Sequence, residues 1–84
     1  MHGSMAKSVK IYSTPTCSYC RLAKEFFRKN NVKFTDYNVA SDANARNEML
    51  SKTGQLGVPV IDIDGEIIIG FNQPKLARAL GVKS

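Results

Sequence analysis

The spacing of the two cysteines constrains the fold of this chain more than any other feature. Cys17 and Cys20 are separated by two residues and lie between two segments of different periodicity. The segment Val9–Ser13 alternates apolar with polar residues, as a strand does, and Pro15 follows it closely. After the cysteines, apolar residues recur at the spacing of an α-helix. The cysteine pair is therefore predicted at a strand-to-helix junction.

The pattern of the whole chain predicts a small α/β domain. The predicted elements are, in order, a strand over Val9–Ser13, a helix from about Ser18 to Asn30, a strand from Lys33 to Val39, a helix from Ser41 or Asp42 to about Lys52, two strands over Val60–Ile63 and Glu66–Ile69, and a helix starting at Asn72 or Gln73. A strand–helix–strand unit implies a parallel pair, and Asp64-Gly65 between two β-branched runs is typical of a hairpin. We therefore expect a four-stranded mixed sheet with helices on both faces.

The same pattern predicts which side chains are buried. Leu22, Phe26 and Phe27 recur at helical spacing and are expected to face the core. Tyr19 lies between the cysteines at the start of the helix, so partial exposure beside them is expected. Asp62 interrupts an apolar strand and is expected at an exposed edge position.

The length of 84 residues allows one domain, predicted over residues 5–84. Met1-His2-Gly3-Ser4 precedes a second methionine and is interpreted as an expression-tag remnant. Apolar runs are no longer than three residues, which predicts neither a membrane span nor a signal peptide, and thus a cytoplasmic protein. The net charge of +5 comes from scattered residues rather than a block, so a solvated surface is predicted, without nucleic-acid binding. A monomer is expected.

The cysteine pair has three interpretations: a redox dithiol, half of a zinc site, or two incidental core residues. Structural zinc needs four ligands, and the single histidine, His2, lies in the presumed tag, so no metal site is predicted. At a helix start, unpaired N–H groups and the positive end of the dipole stabilise an anion. This position favours the redox interpretation, with Cys17 as the nucleophile and Cys20, one turn further and facing inward, as the resolving thiol.

A second candidate element is Val58-Pro59, between a predicted helix and a predicted strand. The proline either simply begins a strand or forms a cis peptide bond. In the second case, the residue before it presents free backbone groups to a substrate strand beside the cysteines. The sequence leaves both interpretations open.

Taken together, these segments resemble the glutaredoxins, which have the thioredoxin fold. The resemblance covers about residues 7–82 and rests on Thr14-Pro15-Thr16-Cys17-Ser18-Tyr19-Cys20, Gly57-Val58-Pro59-Val60, the Ile-Asp-Gly-Glu hairpin and Gly70-Phe71, in that order. Small bacterial glutaredoxin-like proteins are the most similar group. The resemblance implies a thiol–disulfide oxidoreductase that reduces protein disulfides or glutathione mixed disulfides and has no permanently bound cofactor.

The resemblance also implies a glutathione site. Tyr19 would flank the glutathione, Val58 would pair with its cysteinyl part through main-chain groups, and Pro59 would be the cis proline. Glutaredoxins bind the γ-glutamyl end with a Gly-Gly segment followed by an acidic residue, and that segment here is Gly70, Phe71, Asn72 and Gln73. In many relatives, the position of Thr14 holds a Lys or Arg that supports the thiolate and the glycyl carboxylate of glutathione. Arg21 and Lys24 are alternative cations for that role.

Two further functions follow from the resemblance as alternatives. Some family members with serine after the first cysteine hold a [2Fe-2S] cluster between two subunits, and Ser18 occupies that position. The Gly-Phe pair also occurs in redoxins of the ribonucleotide-reductase type, some of which are reduced by thioredoxin reductase. The implied partners are therefore disulfide-bearing proteins, with glutathione or thioredoxin reductase as the electron source.

Overall fold

The computed structural model describes residues 8–82, which form four strands and three helices. These are β1 (Val9–Ser13), α1 (Ser18–Lys29), β2 (Thr35–Asn38), α2 (Ala43–Thr53), β3 (Val60–Ile63), β4 (Glu66–Ile69) and α3 (Gln73–Leu80). The predicted order and type of every element are confirmed, although β2 is shorter than the predicted Lys33 to Val39. The predicted tag remnant, residues 1–4, lies outside the described residues, as do residues 5–7, 83 and 84.

The sheet has the strand order β2-β1-β3-β4. Strands β1 and β2 are parallel, whereas β3 runs antiparallel to both β1 and β4, so the predicted mixed sheet is confirmed. Tyr12 near the end of β1 is paired with Val60 at the start of β3, which in turn is paired with Ile69 at the end of β4. The segments after β1, before β3 and after β4 therefore meet at one edge of the sheet.

Helices cover both faces of the sheet, as predicted. Successive strand residues point to opposite faces, so Ile11 packs with α1 and α3 while its neighbour Tyr12 packs with α2. The first cluster contains Ala23, Phe26, Phe27, Leu76 and Ala77 from the helices, and the second contains Ala45 and Met49. This layering holds the start of α1 above the edge where the three segments meet.

The prediction that Leu22 faces the core is wrong, because 43% of this residue is exposed. The buried stripe of α1 is centred on Cys20, Ala23 and Phe27, which recur at the i, i+3, i+7 spacing of one helix face. Leu22 lies on the flank of that stripe. Leu22 and Tyr19 are therefore two exposed apolar side chains near the cysteines.

Asp62 is also not at an exposed edge, because β3 is an interior strand and only 8% of the residue is exposed. Its carboxylate contacts the Lys52 Nζ at 2.6 Å and accepts the Gly65 N–H at 2.7 Å. Lys52 Nζ also donates to the Tyr12 hydroxyl oxygen at 3.0 Å. Burial raises the pKa of Asp62, but the Lys52 ammonium and the Gly65 N–H outweigh burial and leave the pKa below its usual value. The sequence reveals the acid but not the lysine that neutralises it.

Helix α3 begins with a side-chain cap. Asn72 Oδ1 accepts the N–H of Lys75 at 3.1 Å, which satisfies one of the four N–H groups that have no partner within the helix. Pro74 lies in the first turn, where its missing N–H leaves no bond unmade. Both features confirm the predicted helix start.

We expect Asn72→Ala to lower the free energy of unfolding by about 1 kcal/mol, the usual effect of removing such a cap. Urea denaturation of the variant and the parent protein measures the difference. Asn47→Ala, at an exposed position inside α2, is the matched control and is expected to leave stability unchanged or slightly raised. Equal effects at both positions would show that the Asn72 cap contributes nothing.

Among residues 8–82, no helix is both long enough and apolar enough to cross a lipid bilayer.

Candidate functional site

The two cysteines occupy different environments at the start of α1. Cys17 is the N-cap residue and is half-buried, whereas Cys20, one turn into the helix, is 1% exposed. The backbone N–H of Cys20 donates to the Cys17 Sγ at 3.1 Å. Both side chains are free thiols. Cys17 is therefore the sulfur that a second molecule reaches, and its position lets a backbone N–H stabilise negative charge on it.

The thiol of Cys20 is held in its protonated form. Burial raises the pKa of Cys20 to about 12, and its interaction with Cys17 acts in the same direction. A backbone hydrogen bond at Thr14 and the positive charge of Lys24 act against these effects without cancelling them. Cys20 consequently keeps its proton at neutral pH while both thiols are free.

The segment before β3 reaches the same edge of the sheet. The Val58–Pro59 peptide bond is cis, which agrees with the second interpretation of this dipeptide. Pro59 is fully buried, and its C=O accepts the N–H of Gly70 at 2.8 Å. Val58 is half-buried, and within residues 8–82 neither its N–H nor its C=O makes a hydrogen bond. The main chain of Val58 is thus free to pair with a ligand.

The segment after β4 uses most of its side chains internally. Gly70 adopts a φ of +85°, where other residues are strained, and the Phe71 ring turns inward to meet Phe26 edge-on at 6.4 Å between centroids. The Asn72 side chain caps α3, and Gln73 begins that helix with an exposed side chain. The segment can offer a ligand its backbone N–H groups and the Gln73 side chain, while the Asn72 side chain is engaged in the cap and the Phe71 ring contacts Phe26.

The remaining predicted residues lie on either side of Cys17. Tyr19 is 63% exposed, in agreement with the expected partial exposure. Thr14 is half-buried and contributes to the wall of a groove beside Cys17.

The sequence did not predict this groove. Its volume is about 400 Å³, and it is lined by Thr14, Pro15, Thr16, Cys17, Arg21, Lys24 and Arg28. We call it the α1 groove. The i, i+3, i+7 spacing of the three cations placed them on one helix face, but nothing in the sequence indicated that the face borders the β1–α1 loop. Lys24 forms an ion pair with Asp36, whose carboxylate also accepts a hydrogen bond from the Ser13 hydroxyl at 2.7 Å.

In the part of the chain between residues 8 and 82, no three His, Cys, Asp or Glu side chains lie together in a way that could hold a metal ion.

Comparison with known proteins agrees with this geometry. The family model described as Glutaredoxin matches residues 9–68, a stretch that contains both cysteines and the cis proline. The chain belongs to the glutaredoxin family. Glutaredoxins are in general thiol–disulfide oxidoreductases and commonly use glutathione. Cys17 and Cys20 of this glutaredoxin lie close together at the start of α1.

Two curated relatives and one crystal structure show how close this glutaredoxin is to known members. A glutaredoxin-like 8.6 kDa protein from the rubredoxin operon of Clostridium pasteurianum is 50% identical over 72 residues, covering 86% of this chain and 96% of that protein. Glutaredoxin 3 of Escherichia coli K12 is 36% identical over 63 residues, covering 75% and 76% of the two chains. The crystal structure of the thioredoxin-like protein BC3987 superposes with a TM-score of 0.81 at 36% identity, covering 86% and 99%. The thioredoxin-like fold is thereby confirmed.

Proposed function

We propose that this chain is a cytoplasmic thiol–disulfide oxidoreductase that reduces protein disulfides and glutathione mixed disulfides, with Cys17 as the nucleophile and Cys20 as the resolving thiol. The observation that carries the proposal is the hydrogen bond from the Cys20 N–H to the Cys17 Sγ at the N-cap of α1. It stabilises negative charge on the one sulfur of the pair that a substrate reaches.

In the first step, the Cys17 thiolate attacks one sulfur of the substrate disulfide. A bond forms between the Cys17 Sγ and that sulfur, the substrate S–S bond breaks, and the second substrate sulfur leaves as a thiolate that takes up a proton. No net oxidation has occurred, because one disulfide has replaced another. The backbone N–H of Cys20 lies beside the attacking sulfur at the start of this step.

In the second step, Cys20 gives its proton to water, and its thiolate attacks the Cys17 Sγ and breaks the bond between Cys17 and the substrate sulfur. The Cys17–Cys20 disulfide forms, and the remaining substrate sulfur leaves as a thiolate. The dithiol has now given two electrons to the substrate. Mixed-disulfide formation removes the Cys17 thiol from the interaction that helps to raise the pKa of Cys20, and Lys24 favours the Cys20 thiolate. Two molecules of glutathione, or a reductase, return the two electrons.

The glutathione site is proposed at the edge of the sheet where the three segments meet. The free main chain of Val58, ahead of Pro59, suits pairing with the cysteinyl part of the tripeptide as an added strand. Tyr19 is exposed enough to contact it from the other side. Gly70, Gln73 and the N–H groups at the start of α3 suit the γ-glutamyl carboxylate.

We expect the oxidised protein to be reduced rapidly by glutathione, measured as NADPH consumption coupled to glutathione reductase. A parallel assay with thioredoxin reductase and NADPH tests the other electron source. The blank for each assay omits the protein. Reduction by thioredoxin reductase alone would remove glutathione from the mechanism, and reduction by neither would contradict the proposed function.

A further inference from the structure

The α1 groove carries positive charge next to the reactive sulfur. Arg21, Lys24 and Arg28 line one wall, Thr14 to Thr16 line the other, and Cys17 lies at one end. None of the lining residues is acidic, and α1 has no acidic residue in its first turn. A substrate that presents its sulfur to Cys17 therefore lies beside cations if its chain continues along α1.

Two of these cations form no ion pair within the described part of the protein. The ion pairs among the described residues are Lys24–Asp36 and Lys52–Asp62, so Lys24 is the neutralised member of the groove. Arg21 and Arg28 are exposed and form no ion pair in residues 8–82. The Arg28 guanidinium lies over the Phe34 ring at 5.7 Å from its centroid, which limits its freedom. The uncompensated charge of the groove is thus concentrated at Arg21 and Arg28.

The spacing of these arginines defines what the groove accepts. With a rise of 1.5 Å per residue, Arg21 and Arg28 lie about 6 Å and 16 Å along the helix axis from Cys17. An extended peptide advances about 3.3 Å per residue, so these distances correspond to about two and five residues from the substrate cysteine.

We infer that the α1 groove receives an acidic segment of a disulfide-bearing protein substrate, with carboxylates about two and five residues from the cysteine that Cys17 attacks. The inference rests on the proposed thiol–disulfide chemistry and adds a substrate preference to it. Charge complementarity selects the occupant, because the groove offers two unpaired cations and no anion among its lining residues. Val58 and Pro59, whose segment is proposed to pair with glutathione, are not among the lining residues of the groove.

The test uses ten-residue peptides with one cysteine activated as its 2-pyridyl disulfide. Attack by the pre-reduced protein links the peptide to Cys17 and releases 2-thiopyridone, which is followed by absorbance in a single turnover. One acidic peptide carries Asp two and five residues before the cysteine, and the other carries Asp two and five residues after it. Each acidic peptide has a matched peptide with Asn at the same two positions. Because exposed ion pairs contribute roughly 0.2 to 1 kcal/mol each, at least one acidic peptide is expected to react about five-fold faster than its Asn counterpart at low salt.

Arg21→Gln/Arg28→Gln is expected to reduce this rate ratio to about one. Arg46→Gln/Arg78→Gln removes the same charge from α2 and α3 and is expected to keep the ratio, which separates the groove from steering by the net charge of +5. The ratio is also expected to fall toward one at 1 M salt, where the Debye length is about 3 Å.

Three results would overturn the inference: equal rates for acidic and Asn peptides, an unchanged ratio in Arg21→Gln/Arg28→Gln, or an equal loss in the control double variant. In each of these cases the peptides still react, so the proposed function stands. Failure of all four peptides to react would instead contradict the proposed function itself.

Discussion

Cys17→Ser is expected to lower the rate of disulfide reduction by on the order of a thousandfold or more, for protein disulfides and glutathione mixed disulfides alike. A serine hydroxyl cannot form the mixed disulfide with which both reactions begin. The serine oxygen can still accept the N–H of residue 20, so the start of α1 is expected to be retained. The measurement is steady-state turnover with insulin and with a glutathionylated peptide.

Cys20→Ser is the matched variant, since it makes the same atomic change one helical turn away. Without a resolving thiol, the mixed disulfide on Cys17 is released only by an external thiol. We therefore expect reduction of glutathione mixed disulfides to continue in the presence of glutathione, while insulin reduction falls by at least about tenfold. Circular dichroism shows whether each variant is folded. Turnover by folded Cys17→Ser at the parent rate would refute the assignment of the nucleophile, and equal losses in both variants on both substrates would refute the division of roles.

Lys52→Met is expected to lower the free energy of unfolding by about 2 kcal/mol at pH 7, which corresponds to a fall of about 10 °C in Tm. The substitution keeps most of the aliphatic side chain but leaves the Asp62 carboxylate buried without its cation. Breaking a fully buried pair has a larger effect, and the partial exposure of Lys52 reduces it here. The measurement is thermal denaturation followed by circular dichroism.

The loss in Lys52→Met is expected to depend on pH in a defined direction. In the parent protein the pKa of Asp62 is lowered. The ionised carboxylate therefore stabilises the fold above the pKa of about 3.9 in the unfolded chain, and this stabilisation is lost as pH falls through the lower pKa of the folded protein. In the variant, burial without the ammonium raises the pKa of Asp62, so acid protonates the carboxyl and relieves the penalty. The difference in Tm between the two proteins is therefore expected to narrow below about pH 4.

Lys33→Met removes a charge from an exposed position and is the control for Lys52→Met. It is expected to change Tm by no more than about 2 °C, as substitutions at such surface positions do. A comparable fall in both variants, or a pH-independent fall in Lys52→Met, would show that the Lys52–Asp62 pair is not the cause.

Local patterns predict the elements and the position of the dithiol well, because both depend on residues that are near one another in the sequence. The cap at Asn72, the turn at Asp64-Gly65 and the helical spacing after Cys20 each act within a few residues. Periodicity together with these turn and cap signals predicts the order of strands and helices, and the βαβ unit predicts which strands are parallel. These are the parts of the fold for which local and overall preferences agree.

The differences at Asp62, at Phe71 and at the α1 groove concern contacts between residues far apart in the chain. An acid in an apolar strand suggests an exposed edge, but Asp62 is buried and pairs with the partly exposed Lys52 of α2. The resemblance assigns Phe71 to the ligand site, whereas its ring packs against Phe26 of α1. The α1 groove forms because the loop after β1 lies beside α1. The periodicity of the sequence does not predict that contact. Whether such a residue is buried depends on the distant residue that contacts it, and the sequence does not show which residue that is.

Because the Cys17 sulfur is both the proposed nucleophile and the cap of α1, the redox state of the protein and the stability of this helix are coupled. A thiolate accepts the Cys20 N–H more strongly than a disulfide sulfur does. The hydrogen bond at the start of α1 is therefore stronger in the reduced protein than in the oxidised protein. A substitution that stabilises the first turn only when Cys17 is a thiolate stabilises the reduced protein. By thermodynamic linkage, it raises the reduction potential of the Cys17–Cys20 disulfide. About 30 mV of reduction potential corresponds to 1.4 kcal/mol, which is within the range of a single helix-cap substitution. Family members can therefore adjust how readily they give up electrons by changing helix-start residues that never touch a substrate.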